Sequence, residues 1–333
     1  MATITVKDPP QDLISKVQFS SKHPTTLLSS SWDNKLRLYS IEQENNSVSL
    51  IQTAQFNAPL LDATWDRQST IYVAGLEKRV YRVDPNTGSQ DIIGKDHDQA
   101  IKALHFCPEL NAVISGSWDK SLQFMDPRSN ESQFIDLPGK VFAMDASNRY
   151  LVVAMANRQF HIYDFRNLPH PVQRRESSLK YATRTVRCMP DGVGYASTSI
   201  EGRVAVEFFE PTEEMQAQKY AFKCHRIVDK NGGVDTVTPV NSIAFHPKYG
   251  TFFSGGSDAT VCLWDHKAKK RLKQYQPMPF AVMSLDTDNA GSMLAIGCSN
   301  DSYKQDPANY GPNPAESSIL VRELAPEEGK SKK

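Results

Sequence analysis

Short apolar runs recur along this chain in sets of three, separated by small clusters of glycine, serine, asparagine and aspartate. The first run of each set is Ile14–Phe19, Leu61–Trp65, Ile101–Phe106, Val141–Asp145, Thr183–Cys188, Val240–Phe245 and Ala281–Leu285. The second is Thr26–Ser30, Ile71–Ala74, Ala112–Ser115, Tyr150–Met155, Gly194–Thr198, Thr251–Ser254 and Ser292–Gly297. These are runs rather than strict alternations, as expected of strands covered on both faces. The third run closes on Tyr39, Val83, Met125, Tyr163, Phe208, Trp264 and Arg322. Its clearest copy is Val261-Cys262-Leu263-Trp264-Asp265, a Trp-Asp ending after the turn Gly255-Gly256-Ser257-Asp258. The spacing stays near the ~40–45 residues of a propeller blade and lengthens only in the last two sets. It predicts an all-β chain, a seven-bladed WD40 β-propeller.

Counting seven residues back from each closing position gives Trp32, Leu76, Trp118, Ala156, Glu201, Ser257 and Ala315. One ring of turns, on one face, is expected to carry them. Thr3–Val6 is a β-prone run with no local partner, and the last set has no outer strand of its own. The N-terminal strand is therefore predicted to complete the last blade and hide its edge. A single propeller over residues 1–325 follows, with 326–333 expected as a polar, disordered tail. Two stretches break the period, Glu210–Thr238 and Asp301–Ser317, and long excursions on a compact scaffold are commonly functional.

Charge changes little in this picture. Lys and Arg number 38 and Asp and Glu also 38, so no global field draws the chain to nucleic acid or an anionic membrane. No run approaches the ~20 apolar residues of a membrane span, and the N-terminus lacks the apolar core of a signal peptide. The five cysteines are scattered through apolar strands, which suits buried thiols in a reducing compartment, cytosolic or nuclear. No phosphate-cradling glycine loop, nucleophile elbow or paired metal ligands occur, so neither enzyme activity, cofactor nor metal is expected. Cys224-His225 resembles a dyad only on paper, because neighbours on an extended chain point to opposite faces. No repeat has a Gly-His dipeptide and only one ends in Trp-Asp. Strand packing, rather than a buried polar network, is thus expected to stabilise the blades.

Two groups of residues invite a binding role. Trp32 and Trp118 both sit in Ser-Trp-Asp turns, two blades apart on one face. Either could fold down onto its own blade, but an equivalent pair suits an aromatic anchor for a peptide. Arg203 borders the same face; it could pair with Glu201 or fork onto a ligand carboxylate. The second group is Lys223, Arg226 and Lys248, either a solvated face or a site for a phosphate.

Four stretches carry a resemblance to a known family. Ser178-Leu179-Lys180-Tyr181, Ser199-Ile200-Glu201-Gly202-Arg203-Val204-Ala205-Val206-Glu207, Tyr220-Ala221-Phe222-Lys223-Cys224-His225-Arg226 and Pro239-Val240-Asn241-Ser242-Ile243 resemble one WD-repeat group. The group contains the spindle-checkpoint family named for budding uninhibited by benzimidazole and its cousin in nuclear-pore mRNA export. Ser178-Leu179-Lys180-Tyr181 and Gly202-Arg203-Val204-Ala205-Val206-Glu207-Phe208-Phe209 are more similar to the checkpoint branch. That resemblance implies a non-enzymatic adaptor, located in the nucleus and at kinetochores in mitosis. It implies binding of GLEBS motifs of the checkpoint kinase and its BubR/Mad-type relative, matched to Trp32, Trp118 and Arg203. It also implies binding of threonine-phosphorylated Met-Glu-Leu-Thr motifs of the kinetochore scaffold, matched to Arg226 with Lys223 and Lys248. Apart from these partners the chain is expected to be monomeric, with no membrane or nucleic-acid partner; the export adaptor is the alternative.

Overall fold

The computed structural model describes residues 3–129, 131–229, 233–301 and 316–331. Seven four-stranded antiparallel sheets are arranged as blades, each running from an inner strand to an outer one. All fourteen expected first and second strands are present, with ends within two residues of those read from the sequence. Thr3–Thr5 pairs with Ser317–Glu323 through Thr3↔Arg322 and Ile4↔Val321, so the first strand does complete blade seven.

Among the described residues the apolar core is divided rather than central. Seven apolar clusters each fill one junction between neighbouring blades. The cluster that closes the ring joins Ile14, Val17 and Leu27 of blade one to Met293 and Ile319 of blade seven, and includes Ile4. Polar clips across the inner strands add direction to this packing. The carboxylates of Asp62, Asp145 and Asp286 accept the backbone N–H of Leu104, Cys188 and Phe19, each on the next blade.

Buried polar networks also exist, contrary to the expectation of packing alone. In blade six, His225 Nδ1 lies 2.8 Å from Asp258 and its Nε2 lies 2.8 Å from Ser254 Oγ. Trp264 Nε1–H donates to the same Ser254 hydroxyl at 2.8 Å. Blade three repeats the arrangement with His97, Asp119 and Ser115, although Met125 stands where blade six has its tryptophan. The histidines come from positions that no Gly-His dipeptide marks, Asp96-His97 and Cys224-His225, which is why the sequence hid them.

Burial lowers the imidazole pKa of His97, His105, His161, His246 and His266. The folded chain protonates these rings less readily than the unfolded chain, which does so near the ordinary value of about 6.5. The unfolded state then binds more protons, so stability is lost as pH falls through about 6.5. Thermal unfolding between pH 7.5 and 5.5 should show a falling melting temperature; a flat profile would mean that the folded state accepts these protons.

Two further expectations are corrected. The Glu210–Thr238 stretch is not wholly an insertion, since Tyr220–Lys223 is the outer strand of blade five. The tail from residue 326 is not loose over its described part. Glu328 accepts hydrogen bonds from Tyr275 Oη at 2.7 Å and Lys273 Nζ at 2.5 Å, and Thr251 Oγ1 donates to the Gly329 carbonyl. A polar segment orders here because blade six offers it specific partners. The Asp301–Ser317 loop lies largely outside the described residues, as does Ala315.

Candidate functional site

The turns between second and third strands form a ring at one end of the propeller. In six blades the first turn residue donates its N–H to the carbonyl just before the inner strand. The donors are Trp32, Leu76, Trp118, Ala156, Ile200 and Ser257. The residue two places on has a left-handed backbone: Asn34, Lys78, Lys120, Arg158, Gly202 and Ala259. Gly202 is the one that tolerates no side chain, because a Cβ would stand 2.8 Å from the Cys224 carbonyl.

Blade five corrects the sequence count by one residue. Gly194 pairs with Phe208 and Ser199 with Arg203, so the ring position is Ile200 and not Glu201. The residue equivalent to Trp264 is therefore Glu207. Apolar matching selected Phe208 because a buried carboxyl at this position was not anticipated; burial raises the pKa of Glu207.

Trp32 and Trp118 come together, as expected, on the rim of the central channel. Its mouth is a cavity of about 270 Å³ that both indoles line. Trp32 is 40% exposed, so much of its indole is open to solvent.

The basic residues divide differently from the sequence reading. Arg203 does not line the tryptophan mouth. It pairs in register with Lys223 on blade five, and the two share a groove of about 410 Å³ with Arg226, Glu201, Tyr181, Ile200 and Val237. The groove opens at the Ile200 turn, on the same end of the propeller as the tryptophans. Arg203 Nε is 3.4 Å from Glu201, whose other oxygen accepts the Lys180 N–H.

Arg226 opens a two-strand hairpin, Arg226–Ile227 against Thr236–Val237. Its Nη1 is 3.5 Å from Asp235, and its buried Nε has no hydrogen-bond partner among the described residues. The preceding residue is His225, held by Asp258 and Ser254 with φ at +47°. The blade-six network thus fixes where the guanidinium begins. Cys224 is buried with its thiol pKa pushed up, and it contributes packing rather than a nucleophile.

Lys248 does not join this patch. The six-residue strand Val240–Phe245 starts at the ring face, where Ser257 N–H meets the Pro239 carbonyl. It ends at the Lys248 turn, roughly 20 Å away at the opposite face. There the ammonium stands 5.3 Å from the Tyr249 ring. Sequence order could not distinguish the two ends of a blade. Asp235, Tyr181 and Ile200 were missed for a different reason: an acid in an insertion and two isolated apolar residues carry no motif.

Titratable groups pair across the inner strands of different blades. Lys16 pairs with Asp62 at 3.1 Å and Arg187 with Asp286 at 2.9 Å, and His105 lies 3.5 Å from Asp145. The three carboxylates also hold neighbouring strands, which gives them a structural role.

The family model described as WD domain, G-beta repeat matches residues 90–126 and 232–265. These are the blades with the histidine networks. The chain is 42% identical over 312 residues to mitotic checkpoint protein BUB3.1 of Arabidopsis thaliana, covering 90% of this chain and 89% of that one. It is 36% identical over 330 residues to mitotic checkpoint protein bub-3 of Caenorhabditis elegans, covering 97% and 94%. It is also 33% identical over 303 residues to the poly(A)+ RNA export protein of Schizosaccharomyces pombe, covering 90% and 84%.

Proposed function

Because the chain belongs to the Bub3 family of mitotic checkpoint WD-repeat proteins, we propose that it is a non-enzymatic adaptor that joins two peptide ligands at one end of its propeller. The tryptophan mouth takes a GLEBS segment of a checkpoint kinase or BubR/Mad-type protein. The Arg203–Lys223–Arg226 groove takes a threonine-phosphorylated Met-Glu-Leu-Thr segment of the kinetochore scaffold. Recruitment of the kinase to kinetochores of the mitotic nucleus follows from holding both. The observation that carries this reading is the gathering of three cations and three apolar side chains around one carboxylate, Glu201, in a groove at the same end of the propeller as the aromatic mouth. A phosphate supplies several acceptor oxygens that forked and point-charge donors share, and the apolar wall gives the flanking residues a place to pack.

The test is binding of one Met-Glu-Leu-Thr peptide, with and without threonine phosphate, to the protein carrying a GLEBS peptide. Clear preference for the phosphorylated form supports the reading. No preference, together with RNA binding that weakens steeply with salt, would favour the export adaptor instead. Trp32→Ala should weaken GLEBS binding by about ten-fold or more, as expected for truncating an interfacial indole. Unchanged affinity in calorimetry would return Trp32 to a packing role.

A further inference from the structure

The inner strand of every blade carries an irregularity at its second or third residue. Register shifts fall between Ile14 and Lys16, Ile101 and Ala103, Thr183 and Val186, and at the matching place in the other four blades. A bulge re-aims the extra side chain, and here all the extra side chains line the channel mouth. Six of them are uncharged: Ser15, Leu61, Phe142, Thr185, Asn241 and Met283. The other two are Lys102 and Arg184. The ring of bulges thus presents two cations and no carboxylate.

The groups nearby are already committed. Arg184 Nη2 donates to Asn241 Oδ1 at 3.1 Å, and the Asn241 amide nitrogen donates to Ser257 Oγ and the Val282 carbonyl. Asp62, the nearest carboxylate, is paired with Lys16 and accepts the Leu104 N–H. No described side chain accepts a hydrogen bond from the Lys102 ammonium. Burial lowers its pKa; Asp62 opposes the shift, while Arg184 and Lys16 add to it. A half-buried cation at the channel mouth that lies beside a second cation and donates to no described side chain is an arrangement that an anion would relieve.

We propose that the floor of the channel mouth binds one compact inorganic oxyanion of phosphate type, held between Lys102 and Arg184. A multiply charged oxyanion offers several acceptor oxygens, which suits two cations lining one mouth better than a single-atom halide does. The mouth has room for it beneath the Trp32 and Trp118 rim. This site stands whether or not a peptide lies across the rim.

The experiment titrates the full chain with sodium phosphate and pyrophosphate against sodium chloride at equal ionic strength, following tryptophan fluorescence and melting temperature. A saturable response is expected, weaker by roughly ten- to a hundred-fold in Lys102→Met. Arg184→Gln should weaken it as well, and Lys267→Met, at an exposed position, should not. Met fills the space of a cation that burial disfavours, so the fold is expected to persist; should it not, Lys102→Gln replaces it in the same titration. Absence of saturation in the natural protein, or an undiminished response in both the Lys102 and Arg184 variants, would overturn the proposal. So would a Lys102-dependent effect seen only with a GLEBS peptide, which would assign the cation to a peptide carboxylate.

Discussion

Replacing His225 with alanine should destabilise the propeller by about 3–5 kcal/mol, the cost of breaking a buried charge-bearing pair and orphaning its partners. The imidazole joins three elements: Asp258 in the ring turn, Ser254 on the second strand and, through Ser254, Trp264 on the third. Burial works to raise the Asp258 carboxyl, but the His225 bond and charge outweigh it and hold its pKa below the usual value. Without the imidazole, a carboxylate is left in a nearly closed site with only the Thr260 contacts. Chemical denaturation at constant m-value measures the loss. A double-mutant cycle with Asp258→Asn should show strong coupling, since the two side chains form one unit. A change below about 1 kcal/mol would put blade six back among blades held by strand packing alone. His97→Ala tests the same geometry in blade three, where Asp119 and Ser121 would be left behind.

The architecture was legible because every blade must bury both faces of its inner strands, and that need writes apolar runs into the sequence. Closure by Thr3–Thr5 was legible because an unpaired run and a missing outer strand occur in one chain. What escaped is what lies across blades rather than along them. His225 is an outer-blade residue of repeat five that serves the network of blade six, so no local pattern links it to Ser254. Glu207 escaped because a buried carboxyl replaced an apolar closing residue, and the count moved by one. Lys248 was grouped with Arg226 because both flank the same strand; their separation is a matter of strand length and direction. Trp32 and Trp118 were correctly brought together because equivalent turns in a closed ring share a face.

Arg226→Ala should weaken binding of a phosphothreonine peptide by about ten- to a hundred-fold, from the ~1.5–3 kcal/mol of a charge-assisted bond to phosphate. Its unphosphorylated counterpart should be hardly affected, so phospho-selectivity is what disappears. GLEBS affinity should hold, because the tryptophan mouth is a separate cavity from the groove. Arg203→Ala is the more demanding variant: its guanidinium lies in the phosphate groove, yet the sequence resemblance matched it to GLEBS. Loss of phosphopeptide binding alone would assign Arg203 to the groove, and loss of GLEBS binding alone would keep the earlier match. The groove cations already lean on carboxylates of this chain, Arg226 on Asp235 and Arg203 on Glu201. A dianionic phosphate must displace these partly exposed contacts, and exposed pairs are worth little. Asp235→Asn should therefore tighten phosphopeptide binding a few-fold, opposite in sign to Arg226→Ala. Equal loss of both ligands in Arg226→Ala would instead mean that the mouth and the groove act as one surface.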